Sequence, residues 1–320
     1  MVFLSNKFLY IYLLLAAILN FNMFGVPMMG ADICGFRGDT TVPLCARWSA
    51  LGAFYPFSRN HNSIEPIEQD PVALGPIVVK AAKDSLNLRY QLLPFLYTLF
   101  YKAHIYGDTV FRPLFFEFPQ DVMARSIDTQ FMWGESLLVI PTLEENATSV
   151  NAYIPAGVWF RYPTFTRYQF SQSTQMKFDS PLTSPPVLLI RGGNIIATQE
   201  ARLTTTEARK TNFTLIVALD IYQQAEGDLY WDDGESVFDI QANIFLFTAK
   251  QGILNILKKK SLYKSALPLD KVYLLGVNEK PIQVKVDNQL IAFTYDNINK
   301  IVKVTNIGKY LERMTNVTWN

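Results

Sequence analysis

The sequence predicts an α/β segment followed by two all-β domains, and three stretches carry that reading. Residues 24–62, FGVPMMGADICGFRGDTTVPLCARWSALGAFYPFSRNHN, contain a glycine-flanked apolar run, Gly25 to Ala31, that reads as a buried strand ending at Asp32. Residues 85–104 place Leu92, Leu96, Leu99 and Ala103 at helical spacing, which predicts a helix bent at Pro94 and stopped by Gly107. From Thr109 onward the runs become short, β-branched and aromatic, divided by Pro, Gly and Asn, as antiparallel strands require.

Composition narrows the class. At 320 residues, 49% hydrophobic and 14% aromatic, the chain has ample apolar side chain for a large core and for more than one domain. Lys+Arg 29 against Asp+Glu 28 leaves a formal charge of +1 with neither sign in blocks, so nucleic acid is not an expected partner. Lys258, Lys259 and Lys260 form the one basic run, read as a solvated strand or loop.

The N-terminal stretch, MVFLSNKFLYIYLLLAAILNFNMF, places an apolar run from Phe8 to Leu19 after Lys7. Over residues 1–19 two readings stand side by side, a signal-peptide core and a barrel helix whose apolar face continues into Phe21 and Phe24. The cysteines, Cys34 and Cys45, have ten residues between them. A disulfide closing so short a loop would constrain the unfolded chain by about 3 kcal/mol. Metal binding is the rival, but His61 and His104 are the only histidines, too few for the usual four-ligand sets. A disulfide is therefore expected, with no metal and no cofactor. Acceptor triplets at Asn146, Asn212 and Asn316 agree with an oxidising secretory route. His104, at the end of the expected helix, is read as meeting free carbonyls there.

The β half begins with TVFRPLFFEF, SLLVIP, VNAYIP, VWFRY, PPVLLI and NIIAT. After a polar joint at Thr204 to Arg209 come FTLIVAL, GDLYWDD, NIFLFTA, GILNIL, KVYLLGV, IQVKV, LIAFTY and KIVKV. Trp231-Asp232-Asp233-Gly234-Glu235-Ser236 is the stretch most suggestive of chemistry, since its carboxylates offer oxygen ligands or an acid and base pair. Two acids and a glycine after an aromatic strand also make a turn, with Asp capping its own backbone, and that reading is preferred. Arg191-Gly192-Gly193-Asn194 is likewise a turn. No P-loop, dinucleotide-binding glycine pattern, zinc motif or Gly-x-Ser-x-Gly elbow occurs.

GADICGF at 30–36, LCARW at 44–48, LGAFYPFSRNHN at 51–62, RYQLLPFLYTLF at 89–100, RPLFFEFP at 112–119, QFMWG at 130–134 and YWDDGES at 230–236 together resemble glycoside hydrolase family 31. Within it they are most similar to the animal α-glucosidases, the lysosomal acid α-glucosidase, maltase-glucoamylase and sucrase-isomaltase group. The resemblance implies a retaining α-glucosidase that cleaves terminal α-linked glucose with two aspartates on a (β/α)8 barrel. It assigns residues 20–118 to the last two β/α units of that barrel, 119–200 to a proximal β-sandwich and 201–320 to a distal one.

The family's nucleophile motif, Trp-x-Asp-Met-Asn-Glu, and its acid/base motif belong upstream of the matched region, and neither occurs here. The expectation is a fragment inactive by itself, with no catalytic residue of its own and a barrel edge open to pairing. Asp32, Phe36, Arg59 and His61 carry over by motif as lining of the sugar site, binding an α-glucoside or oligosaccharide. The plainer alternatives are an Asp32–Arg59 ion pair, Phe36 in a core and His61 satisfied in a loop. A non-catalytic carbohydrate-binding protein built from the β-sandwiches is the competing function. Lysosomal, secreted and cell-surface relatives share these motifs, so the secretory pathway is expected without a choice of destination or of membrane attachment.

Overall fold

The computed structural model describes residues 8–238, 240–264 and 267–320; Lys7, ahead of the apolar run, lies outside them. The chain divides into two compact units. The first holds residues up to Arg89, Lys102–Ala156 and Gln172–Leu188, and the second holds Tyr90–Tyr101, Gly157–Ser171 and everything from Leu189 on.

The first unit opens with helix α1 (Phe8–Met23), which buries Ile11, Leu15, Ile18, Leu19 and Asn22. Asn22 fixes the helix at its end, its Oδ1 accepting from the N–H of Phe111 at 3.1 Å. No described helix is long and apolar enough to cross a membrane. Two βα units follow. Strand β1 (Asp32–Ile33) leads to helix α2 (Val42–Gly52), and strand β2 (Arg59–Asn60) leads to helix α3 (Pro76–Gln91). The strands pair in parallel, Asp32 opposite Arg59 and Ile33 opposite Asn60, as successive strands of a barrel do.

No strand forms over Gly25 to Ala31; β1 starts only at Asp32, where the sequence places the strand's end, and Phe57 N donates to Met29 O at 3.1 Å ahead of it. Backbones meet so closely there that a Cβ on Gly30 would stand 1.8 Å from the carbonyl oxygen of Phe57. The helix expected over residues 85–104 is instead two, α3 and α4 (Leu93–Tyr106), broken at Leu92. Pro94 lies in the first turn of α4, where a missing N–H costs nothing, so the proline starts a helix and does not bend one. Gly107, at φ +75°, ends α4 as expected, its N–H donating to Ala103 O at 3.0 Å. His104 sits exposed in the last turn of α4.

The run 109–118 also departs from the single strand expected. Strand β3 (Phe111–Arg112) stops at Pro113, and Leu114–Glu117 form a helical turn. Proline has no N–H for a ladder and its fixed φ suits a helix start. After a 3-10 turn at Met123–Ser126, this unit continues as β hairpin and ladder, Phe131–Trp133 against Leu137–Ile140 and Ser149–Ile154 against Thr174–Asp179.

In the second unit, strands from Asn194 to Trp319 join one twelve-stranded sheet. Its core takes Val284 and Val286 from near one end of the strand order and Val302 and Val304 from near the other, together with Phe213, Leu229, Phe245 and Val272. Residues so far apart along a sheet share a core only when the sheet curls over on itself. Asn194–Thr198 pairs antiparallel with Phe213–Ala218. A Cβ on Gly227 would stand 2.2 Å from the carbonyl oxygen of Ile195 in the parallel neighbour, so that strand crossing needs glycine. Lys258, Lys259 and Lys260 are exposed on strand Ile253–Ser261, which keeps Leu254 and Ile256 buried.

Candidate functional site

The site is built from the strand ends of the two βα units. Parallel register sets Asp32 beside Arg59, and the guanidinium donates to Asp32 Oδ1 at 2.6 Å. The side chains remain 25% and 49% exposed, so the pair meets solvent and is worth at most about 1 kcal/mol to the fold. Beyond the strands, the rings of Phe36 and His61 lie 5.3 Å apart and tilted by 46°. Phe36 O accepts from the N–H of Ser63 at 2.8 Å, which ties the two loops together. Phe36 is half-buried and His61 exposed, so neither is a core residue. The structure thus joins the four sequence-predicted residues as two pairs, Asp32 with Arg59 across the ladder and Phe36 with His61 in the loops that follow the strands. The plain ion pair between Asp32 and Arg59 is present as well.

Local chemistry explains why the chain can hold this end rigid. Cys34 and Cys45 form the expected disulfide, linking the residue after β1 to the start of α2. Cys34 takes φ +71°, which turns the chain sharply as it leaves the strand. Thr41 caps α2, its Oγ1 accepting from Leu44 N. Gly52 lets α2 approach β1, since a Cβ there would stand 2.4 Å from the Ile33 side chain.

Two further residues shape the site: Gln69, which no motif marks, and Arg89, which opens the RYQLLPFLYTLF motif. Gln69 is 4% exposed and donates from Nε2 to Ile33 O, Asn60 Oδ1 and His61 O at 3.2 to 3.3 Å, bridging the ends of both strands. Arg89, on α3, donates to the carbonyls of Ala53, Tyr55 and Pro56 at 2.6 to 2.9 Å. That guanidinium satisfies the carbonyls beyond α2 and holds the chain that enters β2. Both residues stand in polar or amphipathic stretches where only long-range contacts give them meaning.

The acidic motif of the second unit behaves as a turn. Asp232 is 2% exposed; its Oδ1 accepts from Gly234 N at 2.8 Å and its Oδ2 from the hydroxyl of Tyr97 at 2.9 Å. Arg209 donates to the Asp232 carbonyl and covers the ring of Trp231 at 3.9 Å. Asp233 accepts from the N–H groups of Glu235 and Ser236 and from the Ser236 hydroxyl. These bonds, the Ser236 hydroxyl foremost, hold its carboxyl down at about 2. Carboxylates so engaged leave little capacity for a ligand. Among the described residues no group of three or more His, Cys, Asp or Glu side chains converges to hold a metal ion.

Two parallel strands, each followed by a helix, with a carboxylate and a guanidinium paired across them and an imidazole and an aromatic ring just beyond, are the local pattern of βα units in a barrel. Residues 6–99 match the glycosyl hydrolases family 31 TIM-barrel domain and residues 107–196 the glycosyl hydrolase family 31 C-terminal domain. The chain belongs to glycoside hydrolase family 31. It is 41% identical over 320 residues to intestinal sucrase-isomaltase of Homo sapiens, a match covering 96% of this chain and 17% of that protein. To lysosomal alpha-glucosidase of Mus musculus it is 39% identical over 325 residues, covering 95% of this chain and 34% of that one. Among solved structures, the glucosidase II alpha subunit bound to alpha3-Glc2 superposes with a TM-score of 0.89 at 27% identity, over 99% of this chain and 37% of that chain. The chain therefore spans about a third or less of the two curated relatives named here.

Proposed function

We propose that this chain forms the sugar-holding barrel end and the C-terminal β region of a retaining α-glucosidase acting on terminal α-linked glucose. The observation that carries the reading is the pairing of Asp32 with Arg59 across β1 and β2, together with the contact of the Phe36 and His61 rings in the loops that follow those strands. Asp32 and Arg59 offer an acceptor and donors to sugar hydroxyls, and the Phe36 and His61 rings offer an apolar wall. Neither reactive-aspartate motif of the family's mechanism occurs in this sequence, so the role assigned to this chain is sugar binding. The solved relative bound to alpha3-Glc2 supports an oligosaccharide as partner.

Further features support the finer assignments. Burial of one face of α1, and the inclusion of that helix in the barrel match, favour a barrel helix over a signal core for residues 8–19. Among the described residues, strands β1 and β2 form a ladder with no third strand, which leaves an edge on each open to pairing. The hairpins before Asn194 and the curled sheet after it support a proximal and a distal β-sandwich. The disulfide, the exposed Asn146 and Asn212, and relatives named intestinal and lysosomal support a secretory-pathway protein.

Calorimetric titration of the purified chain with maltose tests the site. Saturable binding that Asp32→Ala abolishes is expected, and an absence of saturable binding removes the sugar-site assignment. With an aryl α-glucoside the chain alone is expected to give no turnover; hydrolysis lost in Asp32→Ala would place the chemistry within this chain.

A further inference from the structure

A cavity of about 600 Å³ lies within the second unit, and its lining includes no residue of the acidic turn. Its volume is that of a small-molecule pocket, roughly 300–1,000 Å³. Phe165 and Tyr273 line it, their rings 5.1 Å apart and tilted by 46°, and Glu200 and Asp270 add carboxylates. Phe165 holds φ +60°, a conformation that costs a bulky residue backbone strain, yet it is kept in a turn that presents a phenyl ring. Asn212 also lines the cavity, and Asn212-Phe213-Thr214 is an acceptor triplet. Asn212 is exposed, and Thr214 sits two residues on in the paired strand Phe213–Ala218.

We propose that Asn212 carries an N-linked glycan whose first sugar seats in this cavity, with its apolar face against Phe165 and Tyr273 and its hydroxyls toward Glu200 and Asp270. Attachment uses a lipid pyrophosphate-linked oligosaccharide as donor. The Asn212 Nδ2–C1 bond forms, the sugar C1–O bond to pyrophosphate breaks, the amide gives up one proton, and the lipid pyrophosphate leaves with the bonding electron pair. The cavity chemistry fits this occupant because amino sugars combine an apolar ring face with polar edges. A tethered sugar also needs little intrinsic affinity, since attachment supplies a high local concentration. Asn146, in an exposed turn of the other unit, gives an unseated comparison within the same chain. The inference rests on the secretory-pathway reading, and Asn146 separates the two.

The test is expression of the full chain through a eukaryotic secretory host, site occupancy by mass spectrometry, and native digestion with peptide N-glycosidase. Both sites are expected to be occupied, with release from Asn212 about tenfold slower than from Asn146 in the native protein, the factor one ring-stacking contact supplies. Denaturation should equalise the two rates. Phe165→Gly removes the ring at a backbone conformation glycine adopts freely, and should bring native release at Asn212 to the Asn146 rate. An unoccupied Asn212 beside an occupied Asn146 overturns the proposal, as does equal native release at the two sites. If both are unoccupied, the secretory reading fails and takes the proposal with it.

Discussion

The barrel-end site and the acidic turn of the β region use similar residue types to opposite ends. At the barrel end, Asp32 and Arg59 face solvent from a two-residue ladder, and the rigidity comes from partners that are not themselves presented to ligand: the disulfide, Gln69 and Arg89. In the turn, Asp232 is buried and shares its oxygens between Tyr97 and Gly234, while Tyr230 stacks on Tyr101 at 4.0 Å. A carboxylate spent on its own fold stabilises it, and one left with open lone pairs can serve a ligand. The stretch richest in acids is therefore the structural one.

Substitutions can break that comparison. The largest effect is expected for Asp232→Ala, which leaves the Tyr97 hydroxyl and Gly234 N–H without their acceptor and should lower unfolding free energy by about 3 kcal/mol in urea. Sugar binding should be unchanged if the turn has no part in it. A large stability loss together with a lost maltose isotherm would merge the two regions' roles.

Next in size is an alkaline effect at the same place. Burial first, and then the bond to Asp232, push the Tyr97 phenol up to about 12. Because the folded value lies above the unfolded one near 10, the contribution is complete below about pH 10 and lost as pH rises through about 12. Tyr97→Phe should flatten stability over that window, followed by circular dichroism. An unaltered alkaline profile would show that another tyrosine governs it.

The smallest stability change is expected at the barrel end. Arg59→Ala removes an exposed pair and should alter unfolding free energy by less than about 1 kcal/mol, while abolishing the maltose isotherm. A loss of several kcal/mol would instead mark the pair as a structural element of that end.

Much is legible in the chain order. Short aromatic and β-branched runs form strands, Gly107 stops its helix, and the Asp232–Ser236 stretch forms a turn, because each depends on local backbone preference. Proline misleads twice, at Pro94 and Pro113, since a proline inside an element and one starting a helix look alike in sequence. The roles of Gln69 and Arg89 are invisible, although Arg89 opens the RYQLLPFLYTLF motif, because they lie in bonds to residues eight to thirty-six positions away.

Motif identity and spacing travel with the chain, so the family and the cysteine pair are written in residue order alone. Which acids are free is a property of the folded molecule. Open lone pairs on Asp32 and filled ones on Asp232 follow from parallel strand register in one place and a closed turn under Tyr97 in the other. Hydrogen-bond capacity is finite, and only the folded arrangement shows where it has been used.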